Sequence, residues 1–262
     1  MKKNLFFFNL LILSVTSCNS DDESSLSEDK SILPKTISVT NQESPQDNKV
    51  STITYDGNKI VSIISLGEKT VFTYDENRII KQEVFDIYLN GNKIKKTDVS
   101  YTYENGKLKT RILREGFTTQ YPDGQYVYKT VYIHNSNVLV SYIYYTVNQD
   151  TKAEIKSSEG TLTYKDGNLI KEEDIEGSSV YSRSYEYDTK NNPLKNILGF
   201  NLLLNELPYS INNISKITRT ETELPNPVVY LKSLLYNDKD YLIKATSFAS
   251  NGSIEYEEEY TY

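Results

Sequence analysis

The residues that could carry catalysis are few in this sequence. His134 is the only histidine and Cys18 is the only cysteine. A histidine-based metal cluster is therefore impossible, and a Ser-His-Asp arrangement has a single candidate base. His134 has two interpretations: a general base, or a strand residue that takes the place of a tyrosine in the repeat described below. We favour the second, because His134 is in register with that repeat and perturbed active-site groups are the rarer case.

Acidic residues are the remaining candidates for chemistry. Glycoside hydrolysis needs two carboxyl groups about 5 to 10 Å apart across a cleft, whereas a solvated charged face explains any acidic run. Segment 237–240 has acidic groups for calcium but lacks the glycine and distant glutamate of an EF-hand loop. We therefore predict no enzymatic activity, no metal and no cofactor. The densest acidic runs are Glu172, Glu173, Asp174 and Glu176, and the alternating segment Glu255–Glu259.

Tyrosine is the residue type that points most clearly to a binding surface, since seven of the 23 tyrosines fall within segment 121–145. If exposed and adjacent, such side chains form a flat aromatic platform that can stack sugar rings or grip a protein. The alternative is that they are cross-strand pairs supporting the sheet, because tyrosine recurs throughout the chain. Alternate residues of a strand share a face, so the candidate ligand-binding residues are Tyr126, Tyr128 and Tyr132 on one strand and Tyr142 and Tyr144 on the next.

An internal repeat organises the chain after about residue 35. An aromatic-Thr-Tyr stretch favours a strand. An Asp-Gly or Asn-Gly pair then tolerates the positive φ of a tight hairpin, and an apolar residue begins the returning strand. The clearest copies are ITYDGNKI (53–60), FTYDENRI (72–79), YTYENGKL (101–108) and LTYKDGNL (162–169), with degenerate copies at 185–191 and 235–242 and a copy cut off before its turn at 260–262. The tyrosine position of the unit recurs at Tyr55, Tyr74, Tyr103, His134, Tyr164 and Tyr187.

These repeats predict an all-β fold. We expect one domain, residues 36–262, built as a long antiparallel meander of about 14 to 16 strands that forms a barrel or a strongly curved sheet. The last strand supports this, because Ile254, Tyr256, Glu258, Tyr260 and Tyr262 alternate with a charged face, as in a half-buried sheet. One segment departs from the pattern. A long apolar run follows Pro193 and predicts a short helix near 194–205 that packs on the sheet or plugs one end of it.

The first residues predict secretion and attachment to lipid. Two lysines and a short apolar run precede Cys18, a pattern typical of a cleaved signal peptide, here residues 1–17. Segment 15–18 resembles the lipobox of bacterial lipoproteins, which implies a diacylglyceryl group on Cys18. The alternative is an ordinary signal peptide followed by an incidental cysteine.

The composition of residues 18–35 predicts an acidic flexible tether. Its SDDE run (20–23) resembles the surface-export signal of lipoproteins in one Gram-negative phylum, although an acidic tether alone would have this composition. We expect a lipid-anchored protein of the outer membrane, on the cell surface rather than the periplasmic face. Loss of the two leader lysines would change the net charge from −7 to −9, which argues against nucleic acid or anionic lipid as partners.

The hairpin units resemble the YD repeats of Rhs-type secreted proteins. The whole pattern is similar to a family of small bacterial lipoproteins of unknown function with a porin-like β fold. The shared features are the lipobox, the Tyr-Thr-Tyr-Asp/Glu hairpins, the junction from Tyr187 to Asn192 and Pro193, the later Asn212 and Asn213, and the Tyr-x-Tyr terminus. The resemblance implies the fold, and it supplies no catalytic residues.

Three functions remain open. The chain could be a tethered binding module for a glycan or another envelope ligand, a structural or protein-interaction lipoprotein, or a transmembrane barrel. A transmembrane barrel needs a continuous apolar outer band, and strands such as 93–98 are too polar to supply one. We predict a non-catalytic binding module. Its expected partners are the membrane, through the lipid anchor, and a glycan or envelope protein.

Overall fold

The computed structural model describes residues 32–88, 91–207 and 209–262; Cys18, the predicted signal peptide and most of the predicted tether lie outside these ranges. Sixteen antiparallel strands pair in chain order and close into a barrel, so the predicted all-β meander and its strand number are confirmed. The strands are β1 (Thr36–Thr40), β2 (Lys49–Asp56), β3 (Lys59–Ser65), β4 (Glu68–Asp75), β5 (Arg78–Ile87), β6 (Lys93–Glu104), β7 (Lys107–Glu115), β8 (Tyr126–His134), β9 (Leu139–Val147), β10 (Glu154–Lys165), β11 (Asn168–Glu176), β12 (Ser179–Tyr187), β13 (Ile214–Glu221), β14 (Leu224–Tyr236), β15 (Leu242–Phe248) and β16 (Ile254–Thr261).

The barrel closes where the first strand meets the last. β1 pairs with β2 on one side and with β16 on the other, with Thr36 opposite Thr261. Closure leaves no unpaired edge among these strands, and an unpaired edge is the usual liability of an open sheet. Among the described residues, no helix is long and apolar enough to cross a membrane.

The connections alternate between two different ends of the barrel. The repeat turns, such as those between β2 and β3 and between β6 and β7, lie at the end where β1 begins and β16 finishes. The long connection between β12 and β13, residues 188–213, belongs to the same end. We name this connection the plug and its end the plugged end. The opposite end, which includes the turns β3–β4, β7–β8 and β9–β10, is the open end.

Each repeat unit is a hairpin with a bulge at its tyrosine. The strand register shifts between Thr54 and Tyr55, and the same shift recurs one residue before Tyr74, Tyr103 and Tyr164. The bulge pairs each tyrosine with the first apolar residue of the returning strand, as in the pair Tyr103 and Leu108. The Asn-Gly and Asp-Gly turns at 105–106 and 166–167 have positive φ at both residues, as a type I′ hairpin turn requires.

The repeat tyrosines form a ring inside the plugged end, which we name the tyrosine ring. Tyr103 donates its hydroxyl to the Ile79 carbonyl oxygen of the preceding hairpin, at 2.7 Å. Tyr187 and Tyr262 bond in the same way to the carbonyl oxygens of Leu169 and Leu242, at 2.7 Å each. Each such bond ties one hairpin to its neighbour, so the ring reinforces the wall beyond its strand ladder. The ring comprises Tyr55, Tyr74, Tyr103, His134, Tyr164, Tyr187, Tyr236 and Tyr262.

The plug packs against the inner wall of the barrel at this end. Its side chains Ile197, Phe200 and Leu203 are at most 4% exposed and pack with inward-facing residues of the wall in one hydrophobic core. The Phe200 ring lies 6.2 Å from the Phe72 ring, centroid to centroid. Burial of this apolar surface, at about 25 cal/mol per Å², is what holds the plug inside the barrel.

The helix predicted near 194–205 is present only as one 3-10 turn, Phe200–Leu202. The rest of the plug is a series of single turns. Gly199 has a φ of 83°, and a Cβ there would lie 2.9 Å from the carbonyl oxygen of Asn77. The Leu198 amide donates outward to the Asn58 carbonyl oxygen at 2.9 Å. A left-handed residue and an amide committed to the wall both interrupt an α-helix.

The tyrosine ring predicts a difference between two Tyr→Phe variants. Tyr103→Phe removes the bond to Ile79, so we expect a loss of about 1 kcal/mol in the free energy of unfolding. Tyr164→Phe should lose almost nothing, because the Tyr164 hydroxyl is buried and lacks a hydrogen-bond partner among the described residues. Chemical denaturation of both variants tests this. Equal losses would mean that the hydroxyl bonds do not stabilise the ring.

Candidate functional site

The candidate site is the unfilled part of the barrel lumen, above the plug. Residues paired across an antiparallel ladder share one face. Thr130 pairs with Tyr144 and Tyr132 pairs with Tyr142, and the second pair belongs to the core that contacts the plug. These side chains therefore face the lumen. Toward the open end, lumen-facing residues become exposed: Tyr126 is 53% exposed and Ile155 is 64% exposed. The lumen is thus open to solvent on that side.

The five candidate tyrosines all lie on the inner wall of β8 and β9. Tyr128 and Tyr144 stack, with ring centroids 5.9 Å apart and planes 14° apart. Tyr132 and Tyr142 are tilted at 54°, with centroids 6.4 Å apart. The structure thus brings the two predicted groups together, on a concave wall instead of the expected flat platform. Tyr126 stands at the open rim, and the Tyr128–Tyr144 stack lies below it.

Two of these tyrosines, Tyr132 and Tyr142, are buried and hydrogen-bonded within the protein. Tyr142 is 9% exposed and lies across Gly160 of β10, where a Cβ would overlap the Glu173 carbonyl oxygen and come within 2.5 Å of the Tyr142 ring. Its hydroxyl donates to Asp174 at 3.0 Å. Tyr132 is 2% exposed and donates to Glu206 of the plug. Burial raises the pKa of both hydroxyls. Tyr126, Tyr128 and Tyr144 remain for contact with a ligand.

The first recess of the lumen lies beside these tyrosines and has a volume of about 350 Å³. Its base is an ion pair between Arg111 of β7 and Glu206, with Arg111 Nε 2.5 Å from a carboxylate oxygen. Burial raises the pKa of Glu206, while the Arg111 charge and the Tyr132 hydroxyl partly offset that rise. The lining residues are Arg111, Thr130, Tyr132, Tyr142, Tyr144, Ser158, Asp174, Asn205 and Glu206.

The second recess lies across the lumen and has a volume of about 500 Å³. Lys232 Nζ lies 3.3 Å from a Glu258 oxygen, and an Arg183 nitrogen lies 3.3 Å from a Glu172 oxygen. The Tyr185 hydroxyl also donates to Glu172, and burial raises the pKa of Tyr185 to about 12. Four tyrosines share the wall and the plug supplies leucines at the base. These lining residues are Tyr185, Tyr187, Tyr256, Tyr260, Leu194, Leu204 and Leu207.

The tip of the plug, Asn205 and Glu206, separates the two recesses. Asn205 lines both of them and donates its side-chain amide to Glu172 at 3.1 Å. Glu206 is held by Arg111 of β7 and Tyr132 of β8. The tip is therefore bonded to three strands of the wall and forms the floor of the lumen.

Sequence reasoning missed most of the second recess as a site. The alternation at the C-terminus put Tyr256, Glu258 and Tyr260 on one face, and that face is the lumenal one, since Tyr256 and Glu258 pair with inward-facing residues of β15. The signal was thus present in the sequence. The contribution of Arg183 and Lys232 was not, because it depends on which strands lie opposite each other after closure.

The residues considered above for catalysis or calcium binding form bonds that stabilise the fold. His134 pairs with Val140, and its Nε2 lies 2.8 Å from the Leu108 carbonyl oxygen, as a ring tyrosine hydroxyl would. In segment 237–240, the Asn237 side chain caps its own turn and Asp240 pairs with Lys190 at 2.8 Å. Among the described residues, no three His, Cys, Asp or Glu side chains are grouped to hold a metal ion.

The acidic runs divide between the two faces of the wall. Glu172 and Asp174 face the lumen, while Glu173 pairs with Lys171 at 2.9 Å on the outer face. In the last strand, Glu258 is lumenal, and Glu257 pairs with Lys244 at 3.0 Å outside. The carboxylates that line the two recesses, Glu172, Asp174, Glu206 and Glu258, are each bonded to another side chain.

A third recess lies outside the barrel, under the β7–β8 connection, with a volume of about 750 Å³. Lys81 Nζ lies 2.8 Å from Glu83 and 3.1 Å from Asp98. Lys95 Nζ lies 2.5 Å and 3.2 Å from the same two carboxylates. The charges of this cluster are therefore largely compensated, and the outer wall here carries ion pairs at mid-strand.

The pKa of Glu206 predicts how stability depends on pH. The folded protein binds a proton at this carboxyl more tightly than the unfolded chain does. Its contribution to stability is therefore full below about pH 4.5 and is lost as the pH rises through the folded pKa. We expect the free energy of unfolding of the wild type minus that of Glu206→Gln to fall between about pH 4 and pH 8.

Urea denaturation across that range measures this difference. The same difference for Glu186→Gln, which removes an exposed outer-wall carboxylate, gives the baseline. A difference that instead grows with pH would mean that the Arg111 charge outweighs burial at Glu206.

A solved structure shares this fold. The chain is similar to a porin-like protein from Bacteroides vulgatus, with a TM-score of 0.59 and 13% sequence identity, covering 88% of this chain and 98% of that chain. A porin-like protein from Bacteroides uniformis matches at a TM-score of 0.48 and 9% identity, covering 87% and 97%. No protein-family model matches the sequence, and no curated protein matches it. The porin-like fold implied by the sequence resemblance is confirmed by the first of these structures.

Proposed function

We propose that the protein is a non-catalytic binding module of the bacterial outer membrane, tethered by lipid on Cys18, and that a glycan binds in the open half of its lumen. The observation that carries this proposal is the accessible stack of Tyr128 and Tyr144 on the inner wall of a lumen that has a closed floor. Aromatic faces combined with a few fixed polar groups are the usual composition of a small-molecule or sugar site.

Because the plug closes the lumen at one end, we describe the barrel as a cup with one opening, in contrast to a channel with two. The plug bonds to Asn58 at one hairpin, to Tyr241 near another, and to Arg111 of β7. Its side chains Ile197 and Leu203 are among the best-buried of the core. A ligand would therefore enter and leave through the open end, which suits capture and release better than passage.

The position of the first described residues supports an outward-facing cup. The Lys35 amide donates to the Thr261 carbonyl oxygen at 2.7 Å, and the Pro34 carbonyl oxygen accepts from Tyr55 at 2.9 Å, both at the plugged end. Cys18 precedes this point in the chain. A lipid on Cys18 would hold the plugged end toward the membrane and leave the open end facing away from it.

The outer wall supports a tethered barrel over an embedded one. A barrel embedded in a membrane carries an outward apolar band. Here the outer face carries charged pairs such as Lys81–Glu83, Lys171–Glu173 and Lys244–Glu257. Such pairs are stable in water and costly in hydrocarbon.

Glycan binding is tested by thermal unfolding of the mature lipoprotein in detergent against bacterial and host polysaccharides. At a ligand concentration near 100 times Kd, we expect Tm to rise by roughly 5 to 10 °C. Tyr128→Ala combined with Tyr144→Ala should weaken binding about tenfold or more, because each stacked ring contributes on the order of 1 kcal/mol. Tyr145→Ala is the matched control, since Tyr145 pairs with Lys129 on the outer face.

Equal weakening by the control would locate the glycan outside the lumen. The absence of a shift with every polysaccharide would contradict glycan binding. The alternative function would then be favoured, a structural lipoprotein with a protein partner in the outer membrane.

The lipid anchor is tested separately. Metabolic labelling with a radioactive or alkyne-bearing fatty acid should label the wild type and leave Cys18→Ser unlabelled. The variant should also move from the membrane fraction to the soluble one, because without acyl chains nothing anchors it stably. A Cys18→Ser protein that stays labelled and membrane-bound would contradict the tether.

A further inference from the structure

We infer that the lumen accepts the free end of an uncharged glycan chain. This inference rests on the proposed function and adds the class of glycan and the way it enters. Two independent features of the lumen support it: the pairing of its charges, and the closed floor between its two recesses.

The cations that line the two recesses are all matched by carboxylates. The nitrogen-to-oxygen distance is short in each pair. It is 2.5 Å for Arg111 and Glu206, 3.3 Å for Arg183 and Glu172, and 3.3 Å for Lys232 and Glu258. The remaining charged residue of the lining is Asp174, which accepts the Tyr142 hydroxyl. The recesses therefore carry a small net negative charge.

The net charge of the lumenal wall is also negative toward the open end. Arg219 faces the lumen with its guanidinium 4.8 Å from the Tyr230 ring centroid. The carboxylates of Glu115 and Glu221 are on the same face, opposite Tyr126 and Tyr181. A sulfated or uronic-acid chain would meet excess negative charge there. To reach Arg111, Arg183 or Lys232 in the recesses, it would also have to displace an existing ion pair, which costs desolvation energy on both partners.

Uncharged sugars fit this lining without such a cost. A sugar hydroxyl can donate to a carboxylate and accept from a guanidinium or ammonium group at the same time. The paired groups are held in fixed positions by their partners, so their free donors and acceptors are oriented before a ligand arrives. The apolar faces of the sugar rings would contact Tyr128, Tyr144 and Tyr256.

The floor determines which part of a chain can enter. Asn205 and Glu206 lie between the recesses and bond to Glu172 of β11 and to Arg111 of β7, and the plug residues Ile197, Phe200 and Leu203 are buried in the core. An internal segment of a polymer has chain on both sides of it and would need two openings or a groove to lie across this floor. A chain end has only one continuation, which can leave through the open end.

The charge argument is tested with matched neutral and anionic linear glycans on the mature protein, for example dextran with dextran sulfate, and chitohexaose with a hyaluronan hexasaccharide. We expect stabilisation by one or more neutral glycans and none by the anionic ones. Anionic binding that disappears with Tyr128→Ala plus Tyr144→Ala would overturn the inference while leaving the proposed function intact. Binding of neither class would instead contradict the proposed function itself.

A charge variant sharpens this test. Glu258→Gln removes the partner of Lys232, so we expect it to bind dextran sulfate measurably more tightly than the wild type does. Glu257→Gln is the matched control, because it removes the same charge from the outer face of the same strand. An equal gain in both variants would mean that overall charge governs binding, which would overturn the lumenal argument. Thermal unfolding of each variant without ligand verifies that it is folded.

The mode of entry is tested by stoichiometry. For a linear neutral glycan that binds, isothermal titration with chains of increasing length should give a constant number of protein molecules per chain. A number that rises in proportion to chain length would mean side-on binding and would overturn end-first entry.

Discussion

The interior of a sixteen-strand barrel is too wide to be filled by the side chains of its own wall, because barrel diameter grows with strand number. The rest of this structure follows from that constraint. At the plugged end, residues 188–213 supply the missing apolar volume, and the tyrosine ring fixes the wall around them. At the open end nothing in the described chain fills the space, and the inward side chains are tyrosines and paired charges.

The two halves of the lumen therefore follow different rules of packing. Around Ile79, Leu108, Leu162 and Leu203, which are at most 1% exposed, the interior is a conventional hydrophobic core. Above Glu206 the same wall faces water, and each cation of the recesses is matched by a carboxylate of the plug or of a nearby strand. Unmatched buried charges would be costly, which explains why the cup is lined by ion pairs. Recognition then depends on groups that the fold had already positioned for its own stability.

Much of the fold could be predicted from local patterns. The hairpins follow from the Asn-Gly and Asp-Gly turns, and the faces of β8, β9 and β16 follow from alternation, because both are properties of neighbouring residues. The position of His134 in the tyrosine ring followed from the spacing of the repeats. The plug was recognised from its apolar run, but its helical form was wrong, since Gly199 and the Leu198–Asn58 bond impose turns that depend on the wall.

The candidate site was less predictable for the same reason. The adjacency of Tyr128 and Tyr144 could be expected, but whether they lie on a flat sheet or inside a barrel depends on closure. The pairing of Arg111 with Glu206 joins β7 to the plug across a large separation in sequence. Neither residue has a local pattern that marks it. Sites assembled by long-range topology leave little trace in any one segment of a chain.

The pairing of β1 with β16 has a consequence for assembly. The hydroxyls of Thr36 and Thr261 bond at 2.7 Å across 225 positions of sequence, so the contact that seals the barrel is among the most distant in the chain. The other fifteen strand pairs join neighbours in the chain, whereas a contact at this separation has a high loop-closure cost and forms slowly. A chain made from its N-terminus exposes the free edges of β1 and of its newest strand until β16 emerges, and unpaired edges recruit other chains. The final eight-residue strand thus converts an aggregation-prone intermediate into a sheet without edges.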